Sequence, residues 1–473
     1  MFVLKKETKS RFLFSLLMCS VLFVAPAFAE EQAKTVILTS NENKPVIAEE
    51  TSVNTKNILP AIDLNSTGES KDKNIIPILE LKGGVNKEHP SAIKSWLTGN
   101  YFSGDWMGLR TNLEEHGINL QANYIFDSFG KTRGGLTNKN HSSVYGLLDS
   151  TLTIDTEKLH LIKGGIIGTR FQVKHGNGLS NDFVGDYQGY DNYDGDKIVQ
   201  LSEYWYEQRL FKDYLKVKIG KQDANNDFCA LSSGFNMMNS SFSFMPNIPL
   251  PSYPIQALGV VTTISPTDWL SFRHGVFDGE SKINSLGFNT AFNGKGNIFN
   301  IEEIAVTPTI KGYRGKYMVG LWNHSGNTDE ITASDQVKTY NQNYGNYVGF
   351  EQMIYKENKD CDDDQGATIL GQYSWAPVNR NEIPIYYGLG LQYKGLIPKR
   401  NNDVFLTGVA IAKLNPRLRD IDERRGCETA YDTSYKIQLT PWCALQPDMQ
   451  VIFHPNGQEK TAWLLGLRTL FTF

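Results

Sequence analysis

Long apolar runs, paired cysteines, histidine and any excess of basic charge are what this 473-residue sequence has little of. After Val24 no stretch approaches the roughly 20 apolar residues a membrane helix needs. A mean hydropathy of -0.36 excludes a multi-helix membrane protein but not a barrel, whose alternation halves the apolar signal. The five cysteines (Cys19, Cys229, Cys361, Cys427 and Cys443) stand far apart with no CxxC pair, and 8 histidines offer no metal-ligand spacing. An oxidising compartment permits disulfides, yet pairing cannot be read from these spacings, and single buried or loop thiols fit as well. The net charge of -4 leaves no footprint for nucleic acid. GxSxG, HExxH, GxGxxG and Walker loops are all missing, which weakens an enzymatic reading without closing it.

What is present begins with an export signal. Lys5, Lys6, Lys9 and Arg11 precede the apolar run Phe12 to Val24, and Ala27-Phe28-Ala29 supplies small residues for cleavage before Glu30. Residues 1–29 are therefore expected to be a signal peptide; Cys19 is a poor lipidation site because bulky Met18 precedes it. Residues 30–94 are polar, with EETSVNTKN and NSTGESKDKN, and read as a flexible lead. Residues 95–117 are expected to be a short amphipathic helix and its lead-in: Asp105 as N-cap, Trp106, Leu109 and Leu113 on one face, Arg110 and Glu114 four apart, Gly117 after the end. Its expected role is to cap the strand-rich remainder of the chain.

From Ile118 the period changes to two. Ile118, Leu120, Ala122, Tyr124 and Phe126 oppose Asn119, Gln121, Asn123 and Asp127, and the same alternation returns to the end of the chain. The last stretch, Thr461 to Phe473, puts Trp463, Leu465, Leu467, Phe471 and Phe473 on one face and Gly466, Arg468 and Thr472 on the other. A buried edge strand of a soluble sandwich would alternate in the same way. About sixteen such segments span 118–473, and their connectors alternate short and long, as an antiparallel outer-membrane barrel requires and a sandwich does not. The expected fold is all-β: a transmembrane antiparallel barrel of about sixteen strands, with both chain ends on the periplasmic side.

Charge on the face assigned inward marks the candidate site. Arg170 and Lys174, then Glu203, Glu207 and Arg209, then Lys216 and Lys218 lie on three consecutive strands. A Lys or Arg facing lipid at mid-membrane costs about 2–4 kcal/mol, so these side chains belong in a wet lumen, lining a pore, pairing as scaffold, or both. Ala224–Ile255 is nearly uncharged and rich in Asn, Ser, Phe and Met; folding it into the lumen hides those apolar groups and narrows the channel, and a subunit contact is the alternative. Asp223 and Asn226, at its root, are candidates for hydrogen bonds to a passing solute or for tying the loop to the wall. Gly176–Asp196 carries five aspartates but lacks the spacing of a calcium loop, and is expected to be solvated and external.

Several stretches together resemble one family. GDWMGLRTNLEEHGI, EYWYEQ (Glu203–Gln208), KIGKQDANNDF (Lys218–Phe228), NSSF (Asn239–Phe242), YPIQALG (Tyr253–Gly259) and LTPWCALQPDMQVIFHPNG (Leu439–Gly457) are similar to the carbohydrate-selective porin (OprB) family. A chain stopping on Phe after an aromatic strand also resembles outer-membrane barrels. The resemblance spans Trp96 to Phe473, with Met107 standing where the family commonly has a small residue. It implies a passive outer-membrane channel for small hydrophilic solutes, carbohydrates such as glucose, needing no cofactor and no metal. The implied partners are small sugars and outer-membrane lipids. An anion or dicarboxylate channel, an outer-membrane hydrolase and a surface adhesin are the rival readings.

Overall fold

Alternation becomes architecture when each strand gives one side to lipid and the other to the interior. The computed structural model describes residues 92–294, 296–358 and 364–473. The chain divides into units 1–54 and 55–473; the first, with the expected signal peptide, lies wholly outside the described residues, as do most of the polar lead and Cys361.

Among the described residues, sixteen long antiparallel strands form one closed sheet. They are β1 (Ile118–Gly135), β2 (His141–Asp155), β3 (Gly165–His175), β4 (Ile198–Leu210), β5 (Leu215–Gln222), β6 (Ala257–Thr267), β7 (Leu270–Asp278) and β8 (Ile298–Val306). The second half continues with β9 (Tyr313–His324), β10 (Asn343–Lys356), β11 (Gly366–Trp375), β12 (Ile385–Lys394), β13 (Val404–Lys413), β14 (Cys427–Thr440), β15 (Cys443–Phe453) and β16 (Lys460–Thr472). Each strand pairs with its sequence neighbours, and β1 pairs with β16 from Asn123↔Thr472 to Gly135↔Lys460, closing the ring. Closure leaves no edge with unpaired backbone groups, which hydrocarbon would not tolerate. Among the described residues no helix is long and apolar enough to cross a membrane.

The outward face is where the exposed apolar side chains sit: Val199, Leu201, Ile219, Leu321, Leu389, Trp463, Leu465 and Leu467 among them. In water such a band would be an adhesive patch; in lipid it is the ordinary solvent contact. Long connectors (176–197, 223–256, 279–297, 325–342) all leave one end of the barrel, and short turns (211–214, 268–269, 441–442) close the other.

Two sequence expectations change. β1 runs to Gly135 rather than ending near 128, because Lys131 is taken inward and its Nζ donates to the carbonyls of Gly134, Thr137 and Lys139, tying off the β1–β2 hairpin. The helix expected from Asp105 begins only at Leu109, after a 3-10 turn at Trp106–Gly108, and a further short helix precedes it: α1 (Ala92–Thr98) and α2 (Leu109–Glu115). Trp106 and Met107 have positive φ, so the helix cannot start at Asp105. Asp105 instead reaches forward and accepts from the Thr111 N–H at 2.9 Å. The buried contact of α2 is Arg110, not the expected Trp106–Leu109–Leu113 stripe; its guanidinium lies between the rings of Tyr101 (3.7 Å) and Trp106 (4.2 Å) and donates to the main-chain oxygens of Leu120 and Phe473. Trp96, Phe102, Trp442, Phe471 and Phe473 form a ring cluster around this junction.

Candidate functional site

The interior is built from the wall of β3, β4 and β5 and from two loops folded inward. On β3 the residues Arg170, Gln172 and Lys174 are buried, while Phe171 and Val173 take the other face. On β4 the inward set changes phase: Ile198 and Gln200 before, Glu203 and Glu207 after. The pairing Arg170↔Glu203 followed by Phe171↔Leu201 identifies Ser202 as an extra residue, a β-bulge that turns Glu203 inward beside Arg170.

That bulge creates the first charge network. Arg170 donates through Nε to Asp149 Oδ1 at 2.7 Å, through a second nitrogen to Asp149 Oδ2, and through Nη1 to Glu203 Oε1 at 2.9 Å. All three are nearly inaccessible, so Arg170 is committed to these partners rather than left for a solute. Lys174 is also buried, donating to the Gly195 carbonyl and lying 5.1 Å from the Tyr145 ring centre. Nearer the short-turn end, Arg209 pairs with Glu207 at 2.8 Å, Lys218 pairs with Asp227 at 2.5 Å, and Lys216 is half-buried on the same inward row.

Between these pairs stands an aromatic ring that alternation alone does not single out. Trp205 points inward and is half-buried; its Nε1 donates to Glu203 Oε2 at 3.2 Å, and Lys218 Nζ sits 5.4 Å from its ring centre. A Cβ on Gly168 would meet Trp205 Cζ2 at 2.3 Å, so the ring occupies space only glycine leaves. Asn226, half-buried, reaches the same Glu203 oxygen at 3.5 Å.

Asp223 roots the 223–256 loop. Its carboxylate accepts from the N–H of Asn225 (2.9 Å) and of Tyr253 (3.2 Å), joining the loop's two ends. Burial, then the charge of Glu203, raises its carboxyl above the ordinary carboxylate range. From that root the loop crosses the interior. Ser233 N–H donates to Glu351 on β10, Gln372 on β11 donates to the Phe242 carbonyl, and Tyr386 on β12 donates to the Ser241 carbonyl. Asp432 on β14 accepts from the N–H of both Met238 (3.1 Å) and Asn239 (2.8 Å). Phe228, Met237, Met238, Phe242 and Met245 are inaccessible.

The aspartate-rich loop 176–197 also folds inward, which corrects the expectation of a solvated external loop. Asp186, Asp191, Asn192 and Asp194 are buried together with Tyr187, Tyr190 and Tyr193. Asp191 and Asp127 both hold Arg468, at 2.8 and 2.9 Å, and Arg468 lies 4.2 Å from the Tyr193 ring centre. Glu428 on β14 accepts from the N–H of Tyr187 and Gln188, pinning the loop to the far wall. Asp194 Oδ2 accepts from the Ser180 N–H at 3.1 Å, and burial raises this carboxyl to about 6. Cys229, Cys427 and Cys443 are free thiols, and no metal-holding group of three acidic, His or Cys side chains occurs among the described residues.

A family model, "Carbohydrate-selective porin, OprB family", matches residues 139–473. The chain belongs to that family of porins. It is 23% identical over 422 residues to Porin B of Pseudomonas aeruginosa, covering 78% of this chain and 90% of that protein. A putative porin of Acinetobacter baylyi, QuiX, is 24% identical over 426 residues, covering 80% and 93%. The high-pH structure of Pseudomonas putida OprB matches with a TM-score of 0.72 at 19% identity, covering 80% of this chain and 99% of that one, and its low-pH structure matches at 0.54. The protein is thus an outer-membrane porin, an integral barrel whose family and fold point to a channel rather than an enzyme.

Within this porin, sequence reasoning missed Asp149 as a carboxylate holding Arg170 and Asp127 and Asp191 as those holding Arg468. Asp127 and Asp149 stood on the right face, but their partners come from other strands. For the 176–197 loop a signal did exist: Tyr187, Tyr190 and Tyr193 among the aspartates mark a segment with rings to bury.

Proposed function

We propose that this porin is a passive diffusion channel for small neutral carbohydrates such as glucose. The observation that carries the reading is the Trp205 ring, half-buried on the inner wall beside the carboxylate of Glu203 and the amide of Asn226. A pyranose has apolar C–H faces and an equatorial belt of hydroxyls. Glu203 is occupied in fixing the Trp205 N–H and the Asn226 NH₂, so the ring offers its face to the C–H side of the sugar and the half-buried Asn226 amide offers its oxygen to a hydroxyl, replacing part of the sugar's hydration. Binding at such a platform is weak, on the order of mM, which lets the solute leave.

The charged residues of the wall have two roles in this reading. Lys174, Glu203 and Asp223 hold the inserted loops and Arg170 holds Glu203, so they act on the solute by fixing where the constriction lies. Glu207, Arg209, Lys216, Lys218 and Asn226 face the lumen, and their opposing signs limit preference for either ion. Outer-membrane lipid is the partner of the outer face. No step in this passage calls for a cofactor or for bond-making chemistry. Support comes from the family membership and from the name its model carries.

Liposome swelling with neutral sugars and with charged solutes of matching size tests the proposal. Glucose should enter faster than a dicarboxylate of equal size, and Trp205→Ala should weaken glucose block of ion current several-fold. A channel that swells liposomes with dicarboxylates but not with glucose would sink the carbohydrate reading.

A further inference from the structure

At the short-turn end of the interior, below the 223–256 loop, two cavities meet. One, of about 570 Å³, is lined by Asn236, Gln392, Lys394, Lys436 and Gln438; the other, of about 330 Å³, by Gln121, Asn123, Asn236, Lys436, Gln446 and Arg468. Asn236 and Lys436 border both, so the two lobes form one vestibule around that pair.

Three cations face this space, and two are neutralised. Arg468 is held by Asp127 and Asp191. Lys394 Nζ lies 2.6 Å from both oxygens of Asp364. Lys436, half-buried on β14, has no hydrogen-bond or ion-pair partner among the described residues. A partly buried ammonium without a partner is costly in a protein wall, and a lysine head on a flexible stem is a mobile point charge able to meet an anion.

The neutral groups around it are poised for hydroxyls. Asn236 gives its NH₂ to Gln392 Oε1 at 2.9 Å, and Gln446 gives its NH₂ to the Asn236 main-chain carbonyl at 2.9 Å and to Ser434 Oγ at 3.0 Å. Those donations fix both amides in place. The side-chain oxygens of Asn236 and Gln446 then accept from no protein donor among the described residues. An unpaired cation flanked by fixed acceptors is complementary to a molecule carrying one negative charge and several O–H donors.

We propose that this vestibule is a second, weak solute site, for the carboxylate end of a polyhydroxylated acid: Lys436 pairs with the carboxylate, and the amide oxygens of Asn236 and Gln446 take hydroxyls. The proposal rests on the reading of the chain as a channel for hydroxylated solutes and adds sugar acids to neutral sugars. It places their site on Lys436, apart from the Trp205 platform.

Purified full-length porin in planar bilayers, with block of ion current as readout, tests this. Gluconate added from the short-turn side should block at lower concentration than glucose and than acetate. Lys436→Gln should weaken gluconate block about five-fold, the value of an ion pair worth about 1 kcal/mol, and leave glucose block unchanged. Lys436→Arg should retain most of it, which separates loss of charge from loss of fold; heat-modifiability of each variant checks the barrel. Equal block by gluconate and glucose in the natural protein, or unchanged gluconate block in Lys436→Gln, overturns the proposal. Acetate matching gluconate also overturns it, because the hydroxyls then contribute nothing. Failure of the channel reading itself shows separately, as liposomes that swell with no neutral sugar.

Discussion

Arg170 and Arg468 each gather two carboxylates inside the barrel, and each is therefore a point where one truncation strands buried charge. Removing one member of such a group costs about 3–5 kcal/mol, because the remaining carboxylates stay desolvated. Arg170→Ala is expected to lower the unfolding midpoint of the barrel in urea, while Lys216→Ala, at a half-buried position, should be nearly silent. Asp194 gives a second residue-scale expectation. Its carboxyl is raised to about 6 from an ordinary 3.8, so the folded loop holds the proton more tightly than an open one does. The stabilisation is complete below about 3.8 and is lost as pH rises through about 6. Protease nicking of the 176–197 loop should accordingly be slower at about pH 5 than at about pH 7.5, and Asp194→Asn should flatten that difference. Alternation alone told that Arg170 and Glu203 share a face. It could not tell that they touch, because contact depends on register, and here register depends on the Ser202 bulge.

At the scale of elements, the two inserted loops are anchored by carboxylates that accept from pairs of backbone N–H groups: Asp432 for the 223–256 loop and Glu428 for the 176–197 loop. Asp432→Ala leaves two buried N–H groups without an acceptor, each costing about 1–3 kcal/mol. Its single-channel current should become noisier and larger, as measured in planar bilayers; a quiet, unchanged conductance would show that the apolar packing holds the loop unaided. The inward course of Ala224–Ile255 was legible, because a long loop with so many apolar groups and so little charge has few other places to go. The aspartate-rich loop was misread for the complementary reason. Its charge suggested water, and the Arg468 and Tyr145 partners that make burial of Asp191 tolerable lie on other elements. The α1–α2 region was misread because helical spacing cannot reveal that Trp106 and Met107 adopt positive φ.

For the whole molecule, strand number and the inside-outside assignment were readable from period two and from connector lengths, since lipid imposes both on every strand. What closes the ring was only partly visible. The final strand declared itself by its aromatic face, but its partners outside the sheet, Phe102 and Arg110, come from the lead-in before β1. Deleting Phe473 removes a ring from that cluster and the oxygen that Arg110 reaches. The amount of heat-modifiable barrel recovered from outer membranes should fall, and Arg110→Ala should reproduce part of the loss.

The Arg110 contact also has a meaning in time. Its two acceptors, Leu120 and Phe473, lie at opposite ends of the strand series, so the contact cannot be complete until the last strand has found the first. The bond to Leu120 needs only β1, whereas the bond to Phe473 needs the closed seam, so the complete latch belongs to a finished barrel. A short polar helix thereby distinguishes a finished barrel from one still open at β1.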